Sequence, residues 1–295
     1  MLVVVVAIVL FALDRVAVAL MRPRRRSPAA TPSGVGLPAR DWVVQGQPPL
    51  NGWWVDGGRP SGPIVLVVHG WGAHSGVTLP LVEFAVPVAS HVITFDARGH
   101  GRNSVSSKVN LTTFRDDVRR AVDAVREVAP QRPLVVIAHS MGGAGSILAA
   151  ADGARISGLL TVASPYHVYD TIVAYLNDQG LPGGLIVPLM KPFWRLRVGV
   201  PERDIHPGKA AERVRIPLKV VHPELDSRVV QEEGEALARS AGVELVTIPS
   251  AGHTDVLGRP ELGDEIVAFL EGFATPGRET DVEGESAPEP GVSPA

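Results

Sequence analysis

The aliphatic run Leu134-Val135-Val136-Ile137 leads into Ala138-His139-Ser140-Met141-Gly142-Gly143 and then into Ala144-Gly145-Ser146-Ile147-Leu148-Ala149-Ala150-Ala151. This order reads as strand, sharp turn, helix. A turn that abrupt pushes one side chain into a strained, exposed position, so the residues two before and two after it must be small. Ala138 and Gly142 meet that demand and give a G-x-S-x-G nucleophile elbow with alanine in the first glycine slot. The geometry predicts that Ser140 stands above a sheet edge, with the first N–H groups of the following helix aimed at whatever its oxygen attacks.

The body of the chain repeats the same alternation. Two short strands, 41–45 and 51–55, flank Gly46-Gln47-Pro48-Pro49 and suggest an antiparallel edge hairpin. Further strands are expected at 64–68, 91–96, 134–137, 156–162, 218–222 and 243–248, with helices at 78–89, 112–128, 231–240 and 260–273. Continuous apolar strands interleaved with helices imply an α/β fold, a mostly parallel sheet covered on both faces. One stretch breaks the alternation. Residues 166–211 are rich in aromatic and aliphatic residues interrupted by Gly and Pro, too long for a loop and too apolar for disorder. They are expected to form a small helical cap over the carboxyl end of the sheet.

Both ends differ from this body. Residues 2–21 form an apolar run of the length a spanning helix needs. Asp14 and Arg15 interrupt it, at a cost of roughly 2.5–3.5 kcal/mol for a charge at mid-segment. Arg22-Pro23-Arg24-Arg25-Arg26 follows, with no Lys or Arg before the run. The positive-inside rule then predicts a single-pass membrane anchor over 1–26 with the following domain in the cytoplasm. The rival is a signal peptide cleaved near Ala17-Val18-Ala19, which would make the protein secreted, although a basic n-region is missing. Residues 27–40 read as a linker, 41–273 as the folded domain, and 274–295 as a disordered tail. The chain has no cysteine, which excludes disulfides, thiolate metal sites and a cysteine nucleophile. A net charge of −3 gives no reason to invoke nucleic acid.

A serine hydroxyl is a poor nucleophile until a base takes its proton and a third group orients that base. The best base is His253, in Ser250-Ala251-Gly252-His253-Thr254, directly after a strand. The best orienting acid is Asp226, in His222-Pro223-Glu224-Leu225-Asp226-Ser227, again after a strand, with Glu224 as the fallback. The competing roles are a helix N-cap for Ser140, a surface turn for His253 and a capping carboxylate for Asp226. An oxyanion hole would take one donor from the N–H of Met141. The other would come from His69-Gly70-Trp71-Gly72, with the Trp71 N–H favoured. The cap aromatics Tyr166, Tyr169, Phe193 and Trp194 are candidates for substrate binding, set against the alternative that they are the cap's own core. No spacing supports a metal site, and no Gly-rich phosphate cradle or other cofactor site is evident.

From about residue 43 to 273 the chain resembles the α/β-hydrolase superfamily, and within it the bacterial serine hydrolases related to monoacylglycerol lipases and the serine aminopeptidase-like group. The resemblance is carried by His69-Gly70-Trp71-Gly72, by Phe95-Asp96-Ala97-Arg98-Gly99-His100-Gly101-Arg102-Asn103-Ser104, by the Ser140 elbow, by Asp226 and by Gly252-His253. Ala138 replaces the commoner glycine, and His222-Pro223-Glu224-Leu225-Asp226 replaces the usual His-Gly-x-x-Asp. The order Ser, Asp, His is that of the α/β-hydrolases. The resemblance implies a cofactor-independent hydrolase cleaving carboxylic esters of apolar acyl groups, small-molecule or lipid-like. It implies that His69 and His139 are structural neighbours that bond the backbone. The 98–104 turn is expected to fix a loop, with substrate contact by His100 or Arg102 as the alternative. An aminopeptidase, thioesterase or acyltransferase using the same triad stays open, as does an idle hydrolase-fold scaffold at the membrane.

Overall fold

A computed structural model describes residues 1–23, 28–103 and 109–274. The tail expected over 274–295 lies outside the described residues apart from Ala274, as do Arg24, Arg25 and Arg26 of the basic cluster and Ser104 of the following turn. Eight strands form one sheet: β1 (Ala39–Val44), β2 (Leu50–Asp56), β3 (Ile64–Val68), β4 (His91–Phe95), β5 (Leu134–His139), β6 (Gly158–Val162), β7 (Leu218–Pro223) and β8 (Leu245–Ile248). Their order is β1-β2-β4-β3-β5-β6-β7-β8. The hairpin β1–β2 is antiparallel, β2 pairs antiparallel with β4, and every later pairing is parallel.

The strands alternate between two cores, as a period of two requires. Leu66, Val68, Val136 and Ala138 face a core shared with α3 (Leu111–Val128), α4 (Met141–Ala151) and α8 (Gln231–Ala241). Val65, Val67, Val135 and Ile137 face the other core, beneath α2 (Leu79–Ala85) and α9 (Pro260–Glu271). Burial on both faces explains why these strands read as unbroken aliphatic runs. Helix α2 is shorter than the expected 78–89. Pro87 has no N–H to continue it, and the carbonyls of Val86 and Ala89 accept instead from the N–H groups of Gly58 and Arg59.

Between β6 and β7 the chain forms α5 (Val168–Asp178), α6 (Gly183–Val198), which carries Pro188 and Pro192 within it, and α7 (Pro207–Ala211). The first two pack on each other and enclose a third apolar cluster containing Leu176, Val187, Met190 and Trp194. Helix α7 lies inside the 166–211 excursion in sequence but packs on α4 and α8, and Ala210 and Ala211 are buried in the main core. The apolar N-terminal run is helix α1 (Leu2–Leu20), and Val3–Leu20 is long and apolar enough to cross a membrane. Its C-terminal turns pack on α6, placing Ala17 and Met21 in the cap cluster.

Buried polar contacts hold the loops at the carboxyl edge. Asp96, fully buried, accepts through Oδ1 from the N–H and hydroxyl of Ser75 (both 2.7 Å) and through Oδ2 from the N–H of Arg102 (2.9 Å). Asn103 accepts from Asn51 N–H (2.9 Å) and donates to the carbonyl of Asp96, tying the hairpin to the turn after β4. Arg98 lies fork-on against the buried Asp117 of α3, through Nε (2.8 Å) and Nη2 (2.6 Å). His100 sits under Trp71 and Phe114 and is 1% exposed, so the turn braces the fold rather than reaching outward. Asp117→Ala should leave the Arg98 guanidinium without its carboxylate and cost roughly 2–4 kcal/mol. Urea unfolding of the variant beside the parent chain measures it.

Candidate active site

Ser140 closes β5 and opens α4, with φ 55° and ψ −124°, a left-handed conformation rare for a residue with a side chain. Only very small neighbours leave room for it. A Cβ on Gly142 would lie 2.3 Å from the carbonyl oxygen of His69, and one on Gly143 would strike Ser164 Oγ at 1.8 Å. A Cβ on Gly70 would come within 2.9 Å of the Cβ of Ser140, so the 69–72 loop runs directly beside the serine. The Ser140 N–H donates to the Val162 carbonyl (2.8 Å) and ties the turn to β6.

Three side chains from three strand ends meet here. His253 Nε2 lies 3.0 Å from Ser140 Oγ, and its Nδ1 lies 2.7 Å from Asp226 Oδ2. An ionised carboxylate can only accept, so Nδ1 carries a proton and, in the neutral ring, Nε2 is left to accept from the serine hydroxyl. Asp226 divides its oxygens between two tasks. Oδ1 accepts from the N–H groups of Arg228 and Val229 (both 2.9 Å), which is the capping role, while Oδ2 faces the imidazole. Pro223 closes β7 without displacing it. Glu224 turns away and accepts from the Ser250 N–H (2.8 Å).

Two further histidines hold the frame. The ring of His139 is 4.8 Å from that of His253, and its Nε2 lies 2.8 Å from the His253 backbone carbonyl. The carbonyl can only accept, so Nε2 bears the proton; Nδ1 is buried with no hydrogen-bond partner among the described residues. His69 Nε2 accepts from the Ala97 N–H (2.9 Å), which leaves Nδ1 to donate to the Gly70 carbonyl (2.7 Å) and so fix the loop that carries Trp71. Both bond the backbone, as expected of structural neighbours.

The electrostatics follow from burial. Burial alone would push the Asp226 carboxyl up. It is outweighed by the hydrogen bond and charge of His253 and by the Val229 and Arg228 N–H donors, so the group lies below its ordinary value and stays ionised. Burial, aided by the neighbouring His253, pushes His139 down to about 3, and burial next to His69 pushes His100 down to about 3. Burial also holds His69 and His222 below the usual range. Among the described residues no group of three His, Cys, Asp or Glu could hold a metal ion.

A cavity of about 210 Å³ opens over Ser140 and His253. Trp71 and Met141 line it, as do Tyr169 and Trp194, whose rings stack at 5.8 Å. Tyr166 and Phe193, expected beside them, do not line it. The Tyr166 ring is packed against Gly208 and His206 at the foot of the cap, and Phe193 is half-buried against the cap cluster, one position and about 100° around α6 from the buried Trp194. Periodicity within 166–211 could not separate these faces, because Tyr166 precedes α5 and the prolines at 188 and 192 mask in the sequence a helix that continues through them. The cavity is also lined by Leu20 and Met21, which the sequence reading assigned to the membrane anchor.

The architecture matches solved structures. An esterase from Pyrococcus furiosus superposes with a TM-score of 0.70 at 21% identity, covering 86% of this chain and 100% of that one. The chain has the α/β-hydrolase fold. Residues 59–185 match the family described as serine aminopeptidase, S33, a span that includes Ser140 but ends before Asp226 and His253. Rat monoglyceride lipase is 31% identical over 146 residues, 48% of each chain. Mouse protein phosphatase methylesterase 1 is 35% identical over 94 residues, 30% of this chain and 24% of that one. The matched region is about half the length of the monoglyceride lipases.

A histidine that is neutral in the fold and protonates in the unfolded chain makes stability fall with acid. For His139 and His100 the unfolded chain binds the extra proton between about pH 6.5 and 3. Stability is therefore full above pH 6.5, and each of them weakens the folding equilibrium by up to about tenfold per pH unit below it. Asp226 acts in the same direction only below its ordinary 3.8. Melting temperatures read from pH 8 to pH 4.5 should start to fall near pH 6.5 rather than near pH 4.

Proposed function

We propose that this chain is a serine hydrolase that cleaves carboxylic esters of apolar acyl groups. The observation that carries the reading is the continuous hydrogen-bonded line from Asp226 through His253 to the strained Ser140. Ser140 Oγ attacks the ester carbonyl carbon as His253 Nε2 takes its proton. The negative charge that forms on the carbonyl oxygen is met by the N–H of Met141, at the first turn of α4, and by the N–H of Trp71 from the adjoining loop. The C–O bond to the alcohol then breaks, and the alcohol leaves with the proton from His253. A water molecule, deprotonated by the same nitrogen, attacks the acyl-enzyme and releases the acid. Asp226 fixes the imidazole tautomer and balances its positive charge. It stays ionised because its Oδ1 remains bonded to two backbone N–H groups throughout.

The apolar lining of the cavity and the likeness to a monoglyceride lipase and an esterase support esters over polar amides. The family description, serine aminopeptidase, makes an aminoacyl amide the competitor to test. Helix α1 is proposed to attach the protein to a membrane with the domain in the cytoplasm. Its contacts with α6 support retention of the helix over cleavage.

Incubation with a fluorophosphonate should add one adduct by intact mass, absent in Ser140→Ala. Ester turnover should fall by about 10⁴-fold in Ser140→Ala and His253→Ala, and about 10³–10⁴-fold in Asp226→Asn. A few-fold loss in His253→Ala would sink its assignment as base. On a panel of esters, thioesters and aminoacyl amides, kcat/KM should be highest for the esters. In cell fractions the full-length chain should sediment with membranes at its uncleaved mass.

A further inference from the structure

The last turns of α1 are bonded into the cap at two points, and the residue just past the helix is bonded to the segment ahead of α3. The indole N–H of Trp194 donates to the carbonyl of Ala17 (3.0 Å), one of the four carbonyls that the end of α1 leaves without an intrahelical partner. The guanidinium of Arg197 pairs with the carboxylate of Asp14, which also holds Arg15 at 3.2 Å. Just past the helix, the Met21 carbonyl accepts from the N–H of Val109 (3.4 Å). The residues turned inward, Leu13, Ala17, Leu20 and Met21, recur at the spacing of one helix face. Ala17 is 0% and Met21 6% exposed. The charge that looked like a defect in a spanning helix thus has a dedicated partner on the cap.

This face of α1 reaches the reaction site. Leu20 and Met21 line the same cavity as Ser140 and His253, with Trp194, the residue that bonds Ala17, beside them. We propose that the end of α1 is a wall of the slot that receives the apolar chain, and that Leu20 and Met21 set the length of chain accepted. The N-terminal helix is then part of the substrate site as well as an attachment. The latch of Asp14 and Ala17 onto α6 keeps that wall in register with the cap. The inference rests on the ester-hydrolase reading for the identity of the chain as an acyl group.

The absence of cysteine makes a direct test available. In the full-length chain carrying Leu20→Cys, in a detergent without a straight alkyl tail, the rate of thiol alkylation is measured with palmitate, with butyrate and with neither. Palmitate should slow alkylation at least about fivefold and butyrate should leave it unchanged. A control thiol at the exposed Val43 should react at one rate throughout. Equal rates at position 20 in all three conditions overturn the proposal, even if esters are hydrolysed. Protection by palmitate upholds it, even if Ser140 takes no phosphonate and the hydrolase reading falls. In parallel, Leu20→Trp should lower kcat/KM for a palmitoyl ester at least tenfold while a butyryl ester changes less than about twofold. An equal loss on both esters counts against the assignment.

Discussion

The backbone of Ser140 sits where a side chain is normally unwelcome, and the rest of the carboxyl edge is arranged around that fact. Such a conformation costs on the order of 1–3 kcal/mol and persists only where its surroundings over-determine it. Here they do. A Cβ at Gly142 would strike the His69 carbonyl, one at Gly143 would strike Ser164 and one at Gly70 the serine itself, so the chain closes in tightly there, while β6 takes the Ser140 N–H. No larger residue fits at these three glycines without moving backbone or a buried hydroxyl. The strain is thereby held by the two core-packed elements on either side, β5 and α4.

Around the elbow, buried polar groups are sorted by charge. Asp96, Asp117 and Asp226 are buried carboxylates, and each is met by backbone N–H donors as well as side chains. His69, His100, His139 and His222 are held neutral by burial, so none of them brings a competing positive charge to the neighbourhood of His253. His139 and His69 act on the backbone instead. One holds the carbonyl of the proposed base, the other the loop that carries the proposed oxyanion donor. The site is thus positioned largely through main-chain atoms, which move less than side chains.

The cap is organised differently. Its two main helices share a cluster with α1, so the cap's core is completed by a segment far away in sequence. Trp194 serves both sides of this arrangement. It stacks on Tyr169 in the cavity and donates to Ala17 behind it.

The sheet, the elbow and the candidate triad were legible in the chain itself because they rest on local rules. Strands buried on both faces read as aliphatic runs, and a tight strand-to-helix turn demands small residues two positions away. Side chains that must meet at one sheet edge lie just after strands, which is where Ser140, Asp226 and His253 stand. That His69 and His139 would bond the backbone came from the family resemblance rather than from any local rule, and which carbonyl each holds came only with the fold. What tertiary structure alone decided was which face of the cap looks inward. Tyr169 and Trp194 line the cavity while Tyr166 and Phe193 do not: Tyr166 stands ahead of α5, and prolines at 188 and 192 disguise in the sequence a helix that runs unbroken over Gly183–Val198. It also decided that Leu20 and Met21 belong to the cavity. A run of apolar residues carries the same pattern whether lipid or protein covers it, and only the position of Arg197 and Trp194 some 180 residues later, at Asp14 and Ala17, distinguishes the two.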